Sequence, residues 1–343
     1  MKNKPSVSVL IPVYNEEAFI IKCLDSLNNQ TVLPNKFELL VIDGLSTDKT
    51  RELVSSWKTS HPDMDVEIVD NPERITPCAF NEGIKKARGE YVTMFGAHSV
   101  VGPDFLEKII ETFESHPEID ACGGVVHTKH YNASKISRAI AYIWQHPFGV
   151  GRGIRTPSNI VEGYATTVAK ITYRKRIFNE IGLFDQNFIR NQDTDMNFRL
   201  RNNGGKIWLN PDIETTYFAR ASVSKMLKTA FYNSYFHSLF IKKHHVIPGV
   251  KYIVPGFFVL SLICFLIFGL INDMFLWAFI CLLLLHQSVA LYSSVPFWRK
   301  NKAGLLLLPV LFFSLHFSYG LGFIVGILNF FIFNRKIQAL DTR

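Results

Sequence analysis

The stretch SVSVLIPVYNEE, Ser6 to Glu17, decides how the first half of this chain is read. Its apolar, β-branched-rich run ends abruptly in polar residues, the pattern of a buried strand that empties into a polar loop. The same transition recurs three times. FELLVI (37–42) runs into Asp43-Gly44, DVEIV (65–69) is followed by Asn71, and EYVTMF (90–95) runs into Gly96-Ala97-His98. Helical patterning separates the strands. Ala18, Ile21, Leu24 and Leu27 recur at helical spacing within 16–29. Ser46 and Asp48 are cap candidates for a helix through Trp57, and Pro77–Ala87 and Asp104–Ser115 complete the series. This alternation predicts an α/β fold with a mixed, mostly parallel sheet covered by helices on both faces. Ligands of such sheets bind beyond the carboxyl ends of the strands. The loops to inspect are therefore Tyr14 to Glu16, Asp43 to Asp48, Asn71 onward, and Gly96 to Ser99.

The second half reads differently. Of 343 residues 48% are hydrophobic, and the excess lies between Val250 and Phe333. Apolar stretches near 250–271, 275–294 and 305–333 each reach the roughly 20 residues a bilayer requires. Lys242 and Lys243 precede the first, Asn272-Asp273 separates the first two, and Arg299, Lys300 and Lys302 follow the second. The positive-inside rule then places a hairpin with its basic ends in the cytosol and a short external loop. The third stretch contains Pro309, Gly320, Gly322 and Gly326 and is followed by Arg335 and Lys336. It reads either as a span or as a broken, returning element. Ahead of these, residues 222–243 form a helix with Met226, Leu227, Ala230, Phe231, Tyr235 and Leu239 on one broad face, and its lysines suggest an interfacial helix.

The net charge of +8 comes without a basic stripe interleaved with aromatics, so anionic lipid is the expected partner and nucleic acid is not. Five cysteines, Cys23, Cys78, Cys122, Cys264 and Cys281, form no C-x-x-C pair and no zinc spacing. That usage fits a reducing compartment. The N-terminal apolar run contains Pro12 and reads as a strand, not a signal peptide, which keeps the first half in the cytosol. Between 120 and 210 the patterning is mixed. Arg174–Ile181 and Asp193–Asn203 look helical, and KIWL (206–209) looks extended.

The segments IPVYNEE (11–17), VIDGLSTDKT (41–50), NEGIKKARGEYVTMFGAH (81–98) and IGLFDQNFIRNQDTDMNFRLRNNGGKIWLNP (181–211) together resemble the family 2 glycosyltransferases of the GT-A fold. The similarity extends to the succinoglycan-type exopolysaccharide enzymes, which also carry C-terminal membrane helices. The resemblance implies a Rossmann-like nucleotide-sugar-binding domain over 1–220, an interfacial helix and linker over 221–248, and a membrane region of two to four helical segments over 249–335.

It also implies roles. Pro12, Tyr14, Glu16, Asp43 and Ser46 would bind the nucleotide, Tyr14 by packing on base or ribose and Asp43 by accepting a uracil imide N–H. Asp48 reads more simply as a helix cap. The family carries Asp-x-Asp after the fourth strand, for ribose and a divalent cation, and here the positions are Gly96-Ala97-His98. His98 therefore stands where a Mn²⁺ or Mg²⁺ ligand is expected, with imidazole better suited to Mn²⁺. Asp193 matches the catalytic base, with Gln192 where many members have Glu. Asp195 reads as a cap of its helix, and Arg199 and Arg201 as partners of that helix's carboxylates. Asn191, Gln192 and Arg220 are candidate acceptor or diphosphate contacts. His244-His245 reads as a solvated basic patch. Intramembrane His286 and His316 read as packed neutral side chains, which argues against transport.

The Gln-x-x-Arg-Trp motif of processive synthases is absent from the sequence, so addition of one sugar is expected. The reading is an inverting transfer from a UDP-sugar to a polyprenyl-linked saccharide at the cytosolic face of the inner membrane, in surface polysaccharide synthesis. The alternatives are a polyprenyl-phosphate sugar synthase and a non-catalytic nucleotide-sugar-binding scaffold.

Overall fold

Alternating apolar residues of the first strand supply both cores of the catalytic half. Val7, Val9 and Ile11 face one side and Leu10 the other. The computed structural model describes residues 5–130, 132–150, 160–219, 222–301 and 304–335. In chain order its elements are β1 (Val7–Val13), α1 (Ile20–Asn28), β2 (Phe37–Asp43), α2 (Thr50–Ser60), β3 (Val66–Asp70), α3 (Thr76–Lys86), β4 (Tyr91–Met94), β5 (Ser99–Val101), α4 (Phe105–Ser115) and β6 (Ala121–His130). There follow α5 (Lys135–Gln145), β7 (Gly163–Tyr164), β8 (Ala169–Arg174), α6 (Ile177–Glu180), α7 (Gln192–Asn202), β9 (Ile207–Ala219), α8 (Val223–His244), α9 (Val254–Gly269), α10 (Asp273–Asn301) and α11 (Leu307–Ile327).

The chain forms two compact units. Residues 1–128 and 153–218 make one, and 129–152 and 219–343 the other. The expected boundary near residue 220 thus has a companion, because 129–152, with α5, belongs with the C-terminal helices. The described residues of the sheet follow the order β3-β2-β1-β4-β8-β6-β9-β5, with β7 added to β9. The pairs β1–β2, β2–β3 and β1–β4 are parallel, and β4–β8, β6–β8 and β5–β9 are antiparallel.

One core packs α1, α2 and α4 on one face of the sheet, through Leu24, Trp57 and Phe105. The other packs α3 and α7 on the opposite face, through Phe80, Ile84, Met196 and Leu200. All seven residues of β2 are buried. Of its two carboxylates, Glu38 is held by Ser8 Oγ at 2.6 Å and Arg88 Nε at 2.8 Å, the pairing a buried charge requires.

Several boundaries differ from the sequence expectation. Helix α1 begins at Ile20, not 16, because Asn15 takes a left-handed φ and the Glu16 amide donates to Thr50 Oγ1 at 2.7 Å. The helix expected over 174–181 is confined to Ile177–Glu180, since Arg174 completes β8. The strand expected over 206–209 runs on through Pro211 to Ala219.

In the C-terminal unit, three helical stretches are long and apolar enough to cross a membrane, Val250–Gly269, Asp273–Asn301 and Leu307–Ile332. The third is one continuous element and not a broken pair: α11 passes into a π-helical turn, Leu328–Ile332. Its glycines serve close packing. A Cβ on Gly322 would run into the Phe231 carbonyl, and one on Gly326 would meet Ser238 Oγ at 2.7 Å. Ser318 Oγ donates to Leu227 O at 2.9 Å and Lys242 Nζ to Phe330 O at 2.5 Å, so α8 runs parallel to α11 along most of its length. On the face expected to lie in an interface, Leu227, Phe231 and Leu239 are partly buried. Met226, Ala230 and Tyr235 are buried, and so are Ser234, Phe236, His237 and Ser238 around the same turns.

His316 Nε2 lies 2.7 Å from the Phe148 carbonyl, and its Nδ1 lies 2.9 Å from His286 Nε2. A carbonyl only accepts, so in the neutral ring His316 Nε2 carries the proton and Nδ1 accepts from His286.

Candidate active site

Strand β4 stops pairing with β1 at Leu10, while β2 accompanies β1 to Val13. Pro12, which has no N–H to offer, sits where a second neighbour has ended. The gap opens at the point where the strand order reverses, the place such sheets bind ligands. Seven described non-glycine residues have a left-handed φ. Asn15 (53°), Leu45 (57°), Arg74 (57°), Lys170 (48°) and Asn191 (60°) lie in loops beyond β1, β2 and β3, on β8 beside the end of β4, or at the start of α7. Such backbone costs about 1 kcal/mol or more per residue and concentrates where geometry serves a ligand.

At the β1–β3 end, the Tyr14 ring lies against Gly44, where a Cβ would come within 3.4 Å of it. The Arg74 guanidinium stands 5.7 Å from the Tyr14 ring centroid. Asp43 is buried at the tip of β2. Its Oδ1 accepts from Ser46 N at 3.1 Å and Ser46 Oγ at 2.6 Å, and its Oδ2 accepts from Arg51 at 3.2 Å. Arg51 also reaches Asp70 Oδ1 at 2.5 Å. Three donors leave a carboxylate with capacity for one more, the number an imide N–H would use.

Next to it, Asn71 donates its amide to Asp43 O at 2.8 Å, while its buried Oδ1 has no hydrogen-bond partner among the described residues. An acceptor left so costs about 1–3 kcal/mol, which a ligand donor relieves. The sequence pattern points to Asn71 and the loop after it, but gives no signal for Arg51 or Arg74. Asp48 behaves as a structural cap, its carboxylate accepting from Thr50 N at 2.9 Å and Glu17 N at 3.2 Å.

At the end of β4, His98 Nε2 lies 2.9 Å from Glu16 Oε1, and its ring packs edge-on against Phe19 at 4.2 Å. Glu16, expected at the nucleotide, is thus engaged with the residue expected at the metal. Lys170 lies beside them, with its ammonium 4.9 Å from the centre of the Phe95 ring. Burial pushes the Cys23 thiol up to about 12, the Lys170 ammonium opposes the shift and the Glu16 carboxylate adds to it, which brings both charges within reach of one buried atom.

No group of three His, Cys, Asp or Glu side chains among the described residues is arranged to hold a metal. The His98 nitrogen at the site is already at hydrogen-bond distance from a carboxylate, His98 Nδ1 is buried, and an ammonium occupies the space beside Gly96. Two candidate ligand atoms, His98 Nε2 and Glu16 Oε1, lie together at the end of β4, and a divalent cation held there would take its other ligands from water and the donor's phosphates.

The third part is the start of α7. Asn191 takes the left-handed N-cap position and Gln192 is the first helical residue. Asp193 is exposed, and its Oδ1 accepts from the Thr194 amide at 2.9 Å. Asp195 is fully buried and receives Arg199 Nε at 2.9 Å. Arg199 spends its other nitrogens on Ile181 O at 2.5 Å and Leu183 O at 2.8 Å. Arg199 thus pairs with a carboxylate of its own helix, as expected, whereas Asp195 serves as that buried partner and not as the helix cap. Burial raises the Tyr173 pKa well above the ordinary phenol value and the Asp193 carboxylate adds to the rise, which places Asp193 near the end of β8. Arg220 lies outside the described residues. A separate cavity of about 290 Å³, lined by Asp104, Lys108, His127, Asp212 and Glu214 among others, contains none of the expected site residues.

The family model described as Glycosyl transferase family 2 matches residues 8–182. A Methanococcus voltae protein, dolichyl N-acetyl-alpha-D-glucosaminyl phosphate 3-beta-D-2,3-diacetamido-2,3-dideoxy-beta-D-glucuronosyltransferase, is 30% identical over 94% of this chain and 97% of its own length. The succinoglycan biosynthesis protein ExoA of Rhizobium meliloti is 26% identical over 72% of this chain and 73% of its own. Among solved structures, a mannosyltransferase of Pyrobaculum calidifontis in complex with GDP-Man and Mn²⁺ superimposes with a TM-score of 0.55 at 17% identity, covering 92% of this chain and 87% of that one. That likeness establishes the GT-A fold.

Proposed function

The chain belongs to glycosyl transferase family 2, and from that premise we propose that it transfers one sugar from a UDP-sugar, with inversion, to a hydroxyl of a polyprenyl-linked saccharide at the cytosolic membrane face. The observation that carries this reading is the division of labour on α7. Asp195 is buried and spent on Arg199, whereas Asp193, two residues earlier, is exposed on the first turn.

In the transfer, the Asp193 carboxylate takes the acceptor hydroxyl proton as that oxygen bonds to the anomeric carbon. The bond from that carbon to the diphosphate oxygen breaks, and the nucleoside diphosphate departs on the opposite side. Tyr14 and Arg74 hold the base between them, and Asp43 and Asn71 offer it acceptors. Asn191 and Gln192 border the acceptor side.

The lipid acceptor is supported by the dolichyl-linked substrate in the name of the Methanococcus voltae relative and by three apolar C-terminal helices. Lys242, Lys243, Arg299 and Lys300 flank the α9–α10 hairpin, and the positive-inside rule puts them and the catalytic unit in the cytosol of a multi-pass inner-membrane protein. Surface polysaccharide assembly follows from the same acceptor and from the likeness to the succinoglycan protein.

The test is transfer from a panel of UDP-sugars to a synthetic polyprenyl-diphosphate saccharide by wild type and Asp193→Asn, with the anomeric configuration of the product read by NMR. Full activity of Asp193→Asn on polyprenyl phosphate itself would replace this reading with the sugar-phosphate synthase. Nucleotide binding without turnover on any acceptor would favour the scaffold.

A further inference from the structure

We propose that Arg138 on α5 holds the diphosphate of the polyprenyl-linked acceptor, its guanidinium forking onto phosphate oxygens at the cytosolic end of the membrane helices. The inference rests on the lipid-acceptor reading above and names the side chain that receives that acceptor's charged group.

Arg138 carries an unmatched donor. Its Nε is buried and has no hydrogen-bond partner among the described residues. A buried donor left so destabilises the fold unless something else accepts from the group or screens it. The turn that bears it is well fixed, since Ser134 caps α5 by accepting from the Ser137 amide at 3.1 Å.

Two ring contacts locate this turn within the C-terminal unit. Phe148 meets His286 with centroids 5.3 Å apart, and Tyr142 meets Phe297 at 5.2 Å. Helix α5 therefore runs antiparallel to α10, and the Tyr142 hydroxyl, donating to Ser293 O at 2.6 Å, pins the register. Arg138 precedes Tyr142 by one turn on the same face of α5. That brings it to the last turn of α10, which carries Arg299 and Lys300.

The unit's own sequence explains why the charge is unmatched. In 129–152 and 219–343 the acidic side chains are Asp273 and Asp341. Asp273 opens α10, at the far end of that helix from Arg299, and Asp341 lies outside the described residues. An anion for Arg138 is therefore expected from outside the protein.

Phosphate suits the position. A guanidinium stays charged at any working pH and presents its N–H groups as a planar fork that matches two phosphate oxygens. Arg299 and Lys300 are exposed and act as general attraction toward anionic lipid. Arg138 differs, because its Nε is enclosed and its charge is held against packed helices. The chain of a polyprenyl acceptor lies in the hydrocarbon, so its diphosphate sits at headgroup level, where a spanning helix ends. A phospholipid headgroup offers the same chemistry, and the test separates the two sources.

The test uses the full chain in nanodiscs of neutral phosphatidylcholine, with radiolabelled polyprenyl-diphosphate saccharide and polyprenol of the same length as probes. Wild type should bind the diphosphate more tightly than the alcohol. Arg138→Ala should weaken the diphosphate probe by roughly tenfold or more and leave polyprenol and UDP affinities unchanged. Arg138→Met, which keeps an unbranched apolar stem without the charge, should match it and reads out the proposal if Arg138→Ala does not fold. Arg138→Lys should recover part of the loss, since an ammonium lacks the fork. Phosphatidylglycerol added at the mole fraction of the probe should not displace it. Diphosphate binding that Arg138→Ala and Arg138→Met leave intact, equal loss of polyprenol, or displacement by phosphatidylglycerol overturns this inference and leaves the lipid-acceptor reading standing. No binding of the diphosphate probe by wild type overturns both.

Discussion

Arg199 Nε holds the fully buried carboxylate of Asp195 at 2.9 Å, one helical turn apart, while Asp193, two residues before Asp195 in the same first turn, is exposed. Two carboxylates separated by one residue therefore do different work, and substitution separates them. Asp195→Ala leaves the Arg199 charge without its carboxylate in a closed site, and truncating one member of such a pair costs on the order of 3 kcal/mol. The backbone carbonyls of Ile181 and Leu183 keep part of the guanidinium satisfied, which holds the loss to the lower end of that range. The expected signature is a lowered melting temperature with every ligand affinity falling together.

Asp193→Asn should do the reverse. The side chain keeps its shape and its solvent-facing position, so melting and UDP affinity stay at wild-type values. Turnover falls by roughly 10²–10⁴, the usual contribution of a positioned base. Single-turnover transfer assays beside thermal melts of the two variants decide the assignment. Equal loss of stability in both would make Asp193 structural.

The nucleotide end gives a second prediction. Arg74 and Tyr14 face each other at 5.7 Å, and Arg51 is tied to Asp43 and Asp70. Arg74→Ala should weaken UDP and uridine together by roughly three- to thirtyfold, since a stacked guanidinium contributes about 1–2 kcal/mol to a base. Its effect on melting should be negligible. Because the loss reaches uridine, it is distinguishable from a loss confined to the diphosphate. Unchanged uridine affinity would remove Arg74 from the base site.

The strand-to-loop transitions at Tyr14, Asp43 and Gly96 were legible because each apolar run is short, buried and cut off by polar residues, and local pattern alone determines that. What escaped depends on pairing across long separations. Lys170 reaches Gly96 only because β8 returns antiparallel to β4, a partnership that no period in residues 160–180 discloses. Helix α5 and strand β6 lay in a stretch of mixed patterning. The strand expected over 206–209 continues as β9 through Pro211 and Asp212 to Ala219. The contact of His98 with Glu16 joins two loops that sequence analysis placed correctly, but side-chain direction decides whether two such residues meet a ligand or each other.

Acid should weaken the catalytic unit through its capped loops. Burial raises the Asp48 pKa, but hydrogen bonds from Thr50 and Glu17 outweigh it and leave the group below its ordinary 3.8. The Lys108 ammonium holds Asp104 below that value as well. A carboxyl whose folded pKa is depressed contributes stability that is present above its unfolded value and lost as pH falls through the folded one. Wild type and Asp48→Asn should therefore differ in melting temperature at about pH 7, and the difference should shrink as the pH is taken down through the lowered folded-state pKa of the wild-type carboxyl. A difference that persisted undiminished at low pH would mean that the charge of Asp48 is not what holds the loop.

The C-terminal unit is tested at its closest helix contact. Gly322 lets α11 approach the α8 backbone so nearly that an added Cβ would collide with the Phe231 carbonyl, and Gly326 does the same opposite Ser238 and Tyr235. Lipid supplies no hydrophobic drive between helices, so such contacts rest on close packing and on hydrogen bonds like that from Ser318 Oγ to Leu227 O at 2.9 Å. Gly322→Ala should cost about 1–3 kcal/mol through forced separation of the two helices. Leu321→Ala, one position away on the exposed face, should cost far less. Thermal unfolding in detergent, followed by a probe on α8, compares the two. Because α8 and the neighbouring π turn share Lys242 and Tyr235 as anchors, loss of the Gly322 contact should also expose α8 to proteolysis near Lys242 and Lys243. Equal behaviour of the two variants would show that α8 does not depend on α11 for its place.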